Sequence, residues 1–237
     1  LKHALEMFQS GANIIDIGGE STRPGSNTVN KKNEWNRVKE IIRNISKKIP
    51  ISLDTRKSEV MEKGLNSGIN IINDVSGLNY DKNSFNVINS KKSPFILHHM
   101  QGLPNTMQIN PQYDDAPYEI STFLTKKVIE LENAGLPLDR IAIDPGIGFG
   151  KTDAHNFAIL RSISMLHGSG TAVVLGSSRK SFIGRAAEAE STDARLPGTI
   201  AATLHAVSQG TQIHRVHDVA EVKQALKIWQ QSRVEII

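Results

Sequence analysis

Seven short apolar runs, each leading into a helical pattern, constrain this chain more than any other feature of it. They are NIIDIG (13–18), IPISLD (49–54), NIINDV (70–75), PFILHH (94–99), RIAID (140–144), TAVVLG (171–176) and TQIHRV (211–216). Most are continuously apolar rather than alternating, as strands of a buried parallel sheet are. The stretches that follow read as helices over 34–47, 57–67, 84–91, 117–134, 155–166, 196–209 and 218–231, with one more over 1–10 ahead of the first strand. A strand joined to the next parallel strand needs a crossover long enough to hold a helix. The rhythm therefore predicts the α/β class and a (β/α)8 TIM barrel lacking its first strand, in one domain over 1–237. An open doubly wound sheet is the alternative. The barrel is favoured because polar residues sit at the C-terminal end of nearly every strand, where barrel active sites are built.

Composition narrows the function classes. No apolar run approaches the roughly 20 residues of a membrane span, so no membrane partner is expected. With no cysteine, disulfides, thiolate metal sites and a cysteine nucleophile are excluded. The net charge of +4 admits an anionic partner. The basic residues are scattered, however, and three Tyr and two Trp offer little stacking, so no nucleic acid is expected. A small phosphorylated substrate and a cytoplasmic location are the expectations.

The densest motif is IDPGIGFGKT, 143–152, which nearly fits two phosphate-binding templates and matches neither. A P-loop needs glycine where Pro145 stands, and Gly146, Gly148 and Gly150 give G-x-G-x-G instead of the dinucleotide G-x-G-x-x-G. The other strand ends carry Asp16 and Glu20, Asp54, Asn73 and Asp74, the pair His98–His99, Lys180 within SSRKS, and Arg215 with His217. Any one of them has a structural reading: Asp54 as a helix cap, Asn73 as a backbone partner. His98 and His99 cannot both face inward from one strand. Taken together the set divides by chemistry. Asp54, Asn73 and Asp144 suit a planar heterocycle with adjacent N–H groups, whereas Lys180, Arg215, His217 and Arg23 suit phosphate oxygens or a developing anion.

Seven motifs, GGESTRPG (18–25), SLDT (52–55), IIND (71–74), HMQG (99–102), DPGIGFGK (144–151), SRKS (178–181) and RVHD (215–218), then resemble, in order and across the whole chain, the dihydropteroate synthase family. That resemblance implies a barrel that condenses a dihydropterin-methyl diphosphate with 4-aminobenzoate and releases diphosphate. It implies that Asp54, Asn73, Met100, Asp144 and Lys180 line the pterin slot, and that Thr22, Arg23, Arg215 and His217 hold the diphosphate. Pro24, Phe149 and Ser181 would shape the aminobenzoate pocket, which sulfonamides occupy in the family. Lys180, Arg215 and His217 would carry the chemistry, with Mg²⁺ as cofactor and a homodimer as the assembly.

One part of the family pattern is not found. The first strand, with its N-V-T-P-D-S-F-S-D-G-type loop, would supply the asparagine near the Mg²⁺, so no metal ligand is expected from the residues present. A polypeptide beginning at Leu1 is expected to form an open barrel of low stability and little turnover. A pterin-binding methyltransferase barrel and a non-catalytic pterin-binding module are the alternative functions. ESTRPG, SRKS and RVHD speak against the first.

Overall fold

The computed structural model describes residues 1–23, 25–104 and 106–233. Its sheet has seven parallel strands in sequential order: β1 (Ile15–Gly18), β2 (Ile51–Asp54), β3 (Ile71–Asp74), β4 (Phe95–His98), β5 (Ile141–Asp144), β6 (Ala172–Leu175) and β7 (Ile213–His214). Among the described residues no ladder joins β7 to β1, so the sheet is a curled seven-stranded arc of barrel type. The strands are shorter than the apolar runs that announce them. β7 is the extreme case, two residues within 211–216, paired with β6 alone.

Register turns this sheet into a site. The pairs Gly18↔Asp54, Asp54↔Asn73, Asn73↔Ile96 and Ile96↔Ala142 lie level across β1 to β5, and His98↔Asp144 lies two residues further on. Side chains alternate faces along a strand. Asp16, Asp54, Asn73, His98, Asp144 and Arg215 therefore share one face. The other face carries Ile15, Ile17, Ile51, Leu53, Ile72, Phe95, Leu97, Ile141, Ile143, Val173 and Leu175, all in the main hydrophobic core. The strands do alternate after all, between an outer apolar face under the helices and an inner face that tolerates polar groups. Asp74 falls on the outer face, where it accepts from the Ser76 and Leu78 amides and closes its own turn.

The helices that cover the outer face are α1 (Lys2–Gln9), α2 (Lys31–Ile45), α3 (Ser58–Asn66), α4 (Ser84–Lys91), α5 (Ala116–Asn133), α6 (Asp153–Arg161), α7 (Ser181–Ala186), α8 (Leu196–Ser208) and α9 (Val219–Gln231). Their starts are written in the sequence. Asn30 accepts from the Asn33 amide to cap α2, Asp115 from Tyr118 to cap α5, and Thr152 forms a capping box with His155 on α6. Two expectations need correction. The helix expected over 155–166 ends at Arg161 and continues as a 3-10 segment, Ile163–Ser169. The six-residue α7 was absent from the expected pattern because it is too short to show a period.

Candidate active site

Four inward side chains form a continuous chain of contacts across the arc. The Asn73 amide Nδ2 lies 3.3 Å from both carboxylate oxygens of Asp16 on β1, and its Oδ1 lies 2.6 Å from Nε2 of His98 on β4. The other ring nitrogen of His98, Nδ1, stands 3.7 Å from Oδ2 of Asp144 on β5. Arg215, just past β7, reaches back to Asp16 with Nη1 at 3.6 Å, so the two edges of the arc meet through this pair. Burial and the neighbouring Asp16 push the Asp54 carboxyl above its usual range, with Arg215 opposing them. Burial alone would lower the Arg215 pKa, but Asp16, Asp54 and Asp144 together raise it.

The loop after β5 shows why its glycines alternate. Gly146 has φ +67°, and a Cβ there would stand 1.9 Å from the His99 carbonyl oxygen. Gly150, at φ +64°, would meet the Gln101 carbonyl oxygen at 2.3 Å. A left-handed backbone pressed against other backbone admits only glycine. The loop folds back so that the Gly146 amide donates to Asp144 Oδ1 at 2.7 Å, which fixes the carboxylate. Lys151, the lysine that suggested a nucleotide loop, is buried beneath it. Its Nζ donates to the Phe149 carbonyl at 3.0 Å and pairs with His99 Nδ1 at 3.0 Å. Burial, with Lys180 adding repulsion, lowers its pKa to about 7. Thr152 caps α6, so the GKT triplet is the loop's lock and exit.

Lys180 stands where the two halves of the site meet. Its Nζ donates to the Ile147 carbonyl and lies 4.4 Å from the Phe149 ring centroid. Burial, then Arg215, lowers its pKa to about 7. Phe149 is buried in a small cluster with Val75 and Met107, against which Met100 packs. Ser181 is the exposed first residue of α7. His217 is exposed, and its backbone amide and Nδ1 both lie within hydrogen-bond distance of Ser178 Oγ, at 3.1 and 2.9 Å. Burial, then Arg179 and Arg215, lowers its pKa. Thr22 is half-buried and Arg23 exposed in the loop after β1, while Pro24 lies outside the described residues.

Three supports for this site went unread in the sequence. The first is His98: its parity with Ile96 on β4 assigns it to the inner face, and His99 is the one that turns away, against Tyr113 and Phe123. The second is a buried ion cluster under the β1 loop. Lys57 Nζ bridges Glu20, at 3.0 Å, and Glu34; Arg56 Nε donates to Glu20 at 2.8 Å; and Glu20 accepts from the Val29 amide at 2.7 Å. The third is Arg179, whose Nε donates to Asp218 at 2.9 Å and Nη1 to Asp193 at 2.6 Å, tying SRKS to RVHD. Charges on three separate elements carry no shared sequence period, so only the fold reveals the last two.

Comparison with known proteins agrees with this geometry. The profile of the family described as pterin binding enzyme matches residues 1–217. The dihydropteroate synthase of Neisseria meningitidis serogroup C is 43% identical over 234 residues, covering 97% of this chain and 82% of that protein. The crystal structure of Yersinia pestis dihydropteroate synthase with a sulfonamide drug superposes with a TM-score of 0.94 at 36% identity, covering 98% of this chain and 84% of that one. Xanthomonas albilineans dihydropteroate synthase in complex with 7,8-dihydropteroate gives 0.89 at 33% identity, covering 99% and 84%. The chain belongs to the pterin-binding enzymes and, among them, to the dihydropteroate synthase family.

Proposed function

We infer that this chain is a dihydropteroate synthase, joining (7,8-dihydropterin-6-yl)methyl diphosphate to 4-aminobenzoate and releasing diphosphate. One observation carries the reading beyond kinship: the inner face places the acceptors Asp54, Asn73 and Asp144 and the cation Arg215 in a single mouth, with Lys180 at the loop between them. A ring with N–H and amino donors suits the first set and a diphosphate the second. Asp144 takes the ring's amino and N3–H donors, each charge-assisted bond contributing about 1.5–3 kcal/mol, and Asp54 and Asn73 line the same slot. Met100 packs against the ring face, and Lys180 donates to its carbonyl side. Thr22, Arg23, Arg215 and His217 hold the diphosphate, while Phe149, Pro24 and Ser181 shape the aminobenzoate pocket.

The electron-rich dihydropterin stabilises positive charge on its exocyclic methylene. The carbon–oxygen bond therefore breaks first, its electron pair leaving with the diphosphate. Arg215 and His217 stabilise that departing charge. The neutral arylamine nitrogen then attacks the methylene carbon and afterwards loses its extra proton to solvent, so no side chain need act as a base. The stretch over 19–33, whose last three residues open α2, closes the mouth and keeps water from the cation.

Mg²⁺ remains part of the proposal as an ion carried by the diphosphate oxygens, whose charge it would neutralise. Among the described residues no three His, Cys, Asp or Glu side chains cluster to hold a metal, and no step above runs through the ion. The homodimer rests on the family resemblance and the cytoplasmic location on the cysteine-free composition; no described helix is long and apolar enough to cross a membrane.

Titration with pterin followed by an assay of aminobenzoate-dependent diphosphate release tests the function. Release that requires both substrates is expected. Pterin binding without release would leave a binding module and sink the synthase reading, and methyl transfer from a methylated tetrahydrofolate would replace it with the methyltransferase.

A further inference from the structure

His98 lies at the centre of the heterocycle slot and has no part in the steps above. Its side chain is 1% exposed and touches two residues that the proposed function gives to the pterin ring, Asn73 and Asp144. The hydrogen inventory along this chain of contacts is determined from one end. A carboxylate only accepts, so the group that Asn73 turns toward Asp16 must be its NH₂. Its carbonyl oxygen therefore faces His98, and the ring nitrogen 2.6 Å away, Nε2, must carry a proton to donate. A neutral imidazole has one N–H, so Nδ1 is bare. That bare nitrogen faces Asp144 Oδ2, and both atoms are buried without a hydrogen-bond partner. Burial drives the His98 pKa down to about 4, so the ring is neutral at physiological pH.

We propose that His98 is a positioning residue for pterin recognition: with Asp16 it holds the Asn73 amide from both ends and, by offering Asp144 no proton, leaves that carboxylate unpaired for a donor of the incoming ring. The inference rests on the synthase reading, which supplies the ring. In physical terms, Asp144 takes the Gly146 amide on one oxygen and nothing on the other, so the empty site holds an unmet acceptor. A heterocycle edge bearing N–H groups relieves it, and one bearing an acceptor does not. Without His98, the Asn73 carbonyl loses its donor, and the amide is held from one end only, through its two 3.3 Å contacts to Asp16.

The experiment compares His98→Leu and His98→Gln with the wild type, the glutamine restoring an N–H donor toward Asn73. His98→Leu should weaken binding of pterin, measured calorimetrically, by about 3–10-fold, the worth of one neutral hydrogen bond. It should raise the KM for the dihydropterin diphosphate in proportion, leave the KM for 4-aminobenzoate unchanged, and lower the unfolding midpoint by a few degrees, because a buried carbonyl loses its donor. His98→Gln should recover most of the loss. Pterin affinity unchanged in His98→Leu overturns the inference, as does an equal rise in both KM values, the mark of a packing role. Histidine ¹⁵N shifts give a second test: His98 should show a protonated Nε2 and a bare Nδ1, and the opposite tautomer refutes the proposal whatever the kinetics. A wild type that binds no pterin refutes the synthase reading along with it, whereas variants that bind like a pterin-competent wild type refute this inference alone.

Discussion

Replacing Lys57 by methionine removes the cation that two buried carboxylates share. The Lys57, Glu20 and Glu34 side chains are 7%, 4% and 1% exposed, so neither carboxylate has water to turn to. Their losses differ. Glu20 keeps Arg56 Nε at 2.8 Å and the Val29 amide at 2.7 Å, whereas Glu34 keeps only the Thr55 hydroxyl at 2.5 Å. Glu34 becomes a buried charge without a counter-charge, and breaking a buried pair in this way costs about 3–5 kcal/mol. For a chain of this size that is a fall in Tm of roughly 6–20 °C, readable by urea titration or calorimetry. Because the fault is an uncompensated charge rather than a lost contact, the double variant Glu34→Leu/Lys57→Met should regain most of the loss. A single variant within 1 kcal/mol of wild type, or a double variant no better than the single, would refute the reasoning. The loop over 19–30 hangs on the same cluster through Glu20 and Val29, so KM for the diphosphate substrate should rise with the loss of stability.

Three further outcomes follow from the site's supports. Gly146→Ala forces a Cβ to within 1.9 Å of the His99 carbonyl at positive φ; displacement of Asp144 and loss of pterin binding are expected, beyond the ~1–2 kcal/mol of the left-handed backbone alone, by calorimetry. Arg179→Ala unties RVHD from SRKS and should raise KM for the diphosphate substrate with little change for 4-aminobenzoate, since Asp218 rather than the pterin slot loses its partner. For Lys151, pKa about 7 when folded against about 10.4 unfolded, the unfolded chain holds the proton between those values and the fold does not. Stability should therefore rise with pH from about 7 to 10, and Lys151→Met should flatten that slope in urea titrations run across the range.

The architecture was legible because it depends on period and order. Seven apolar runs became seven parallel strands in sequence order, each inside its expected run. Asp54, Asn73 and Asp144 were visible as polar residues at the ends of apolar runs, and parity on the strand puts them on the inner face. What sequence could not give were groups whose partners lie far along the chain. Arg179 meets Asp218 across 39 residues and Lys57 meets Glu34 across 23. Such pairs leave no local pattern. The loop of alternating glycines was half legible: its failure as a phosphate template could be read, but the crowding by His99 and Gln101 that requires the glycines belongs to the folded chain.

The hydrogen bond from Lys180 to the Ile147 carbonyl makes one mechanical unit of two loops that read as separate motifs. On the proposed function, Asp144, at the root of the first loop, would face one substrate's ring and Phe149, further along it, the other. The ammonium of the second loop is aimed by the backbone of the first. On that reading, a substitution that shifts the β5 loop to refuse a compound imitating one substrate would also re-aim Lys180. Selectivity against a mimic and turnover of the true substrates are thereby coupled through a single carbonyl oxygen, and escape from an inhibitor is channelled toward residues outside that unit.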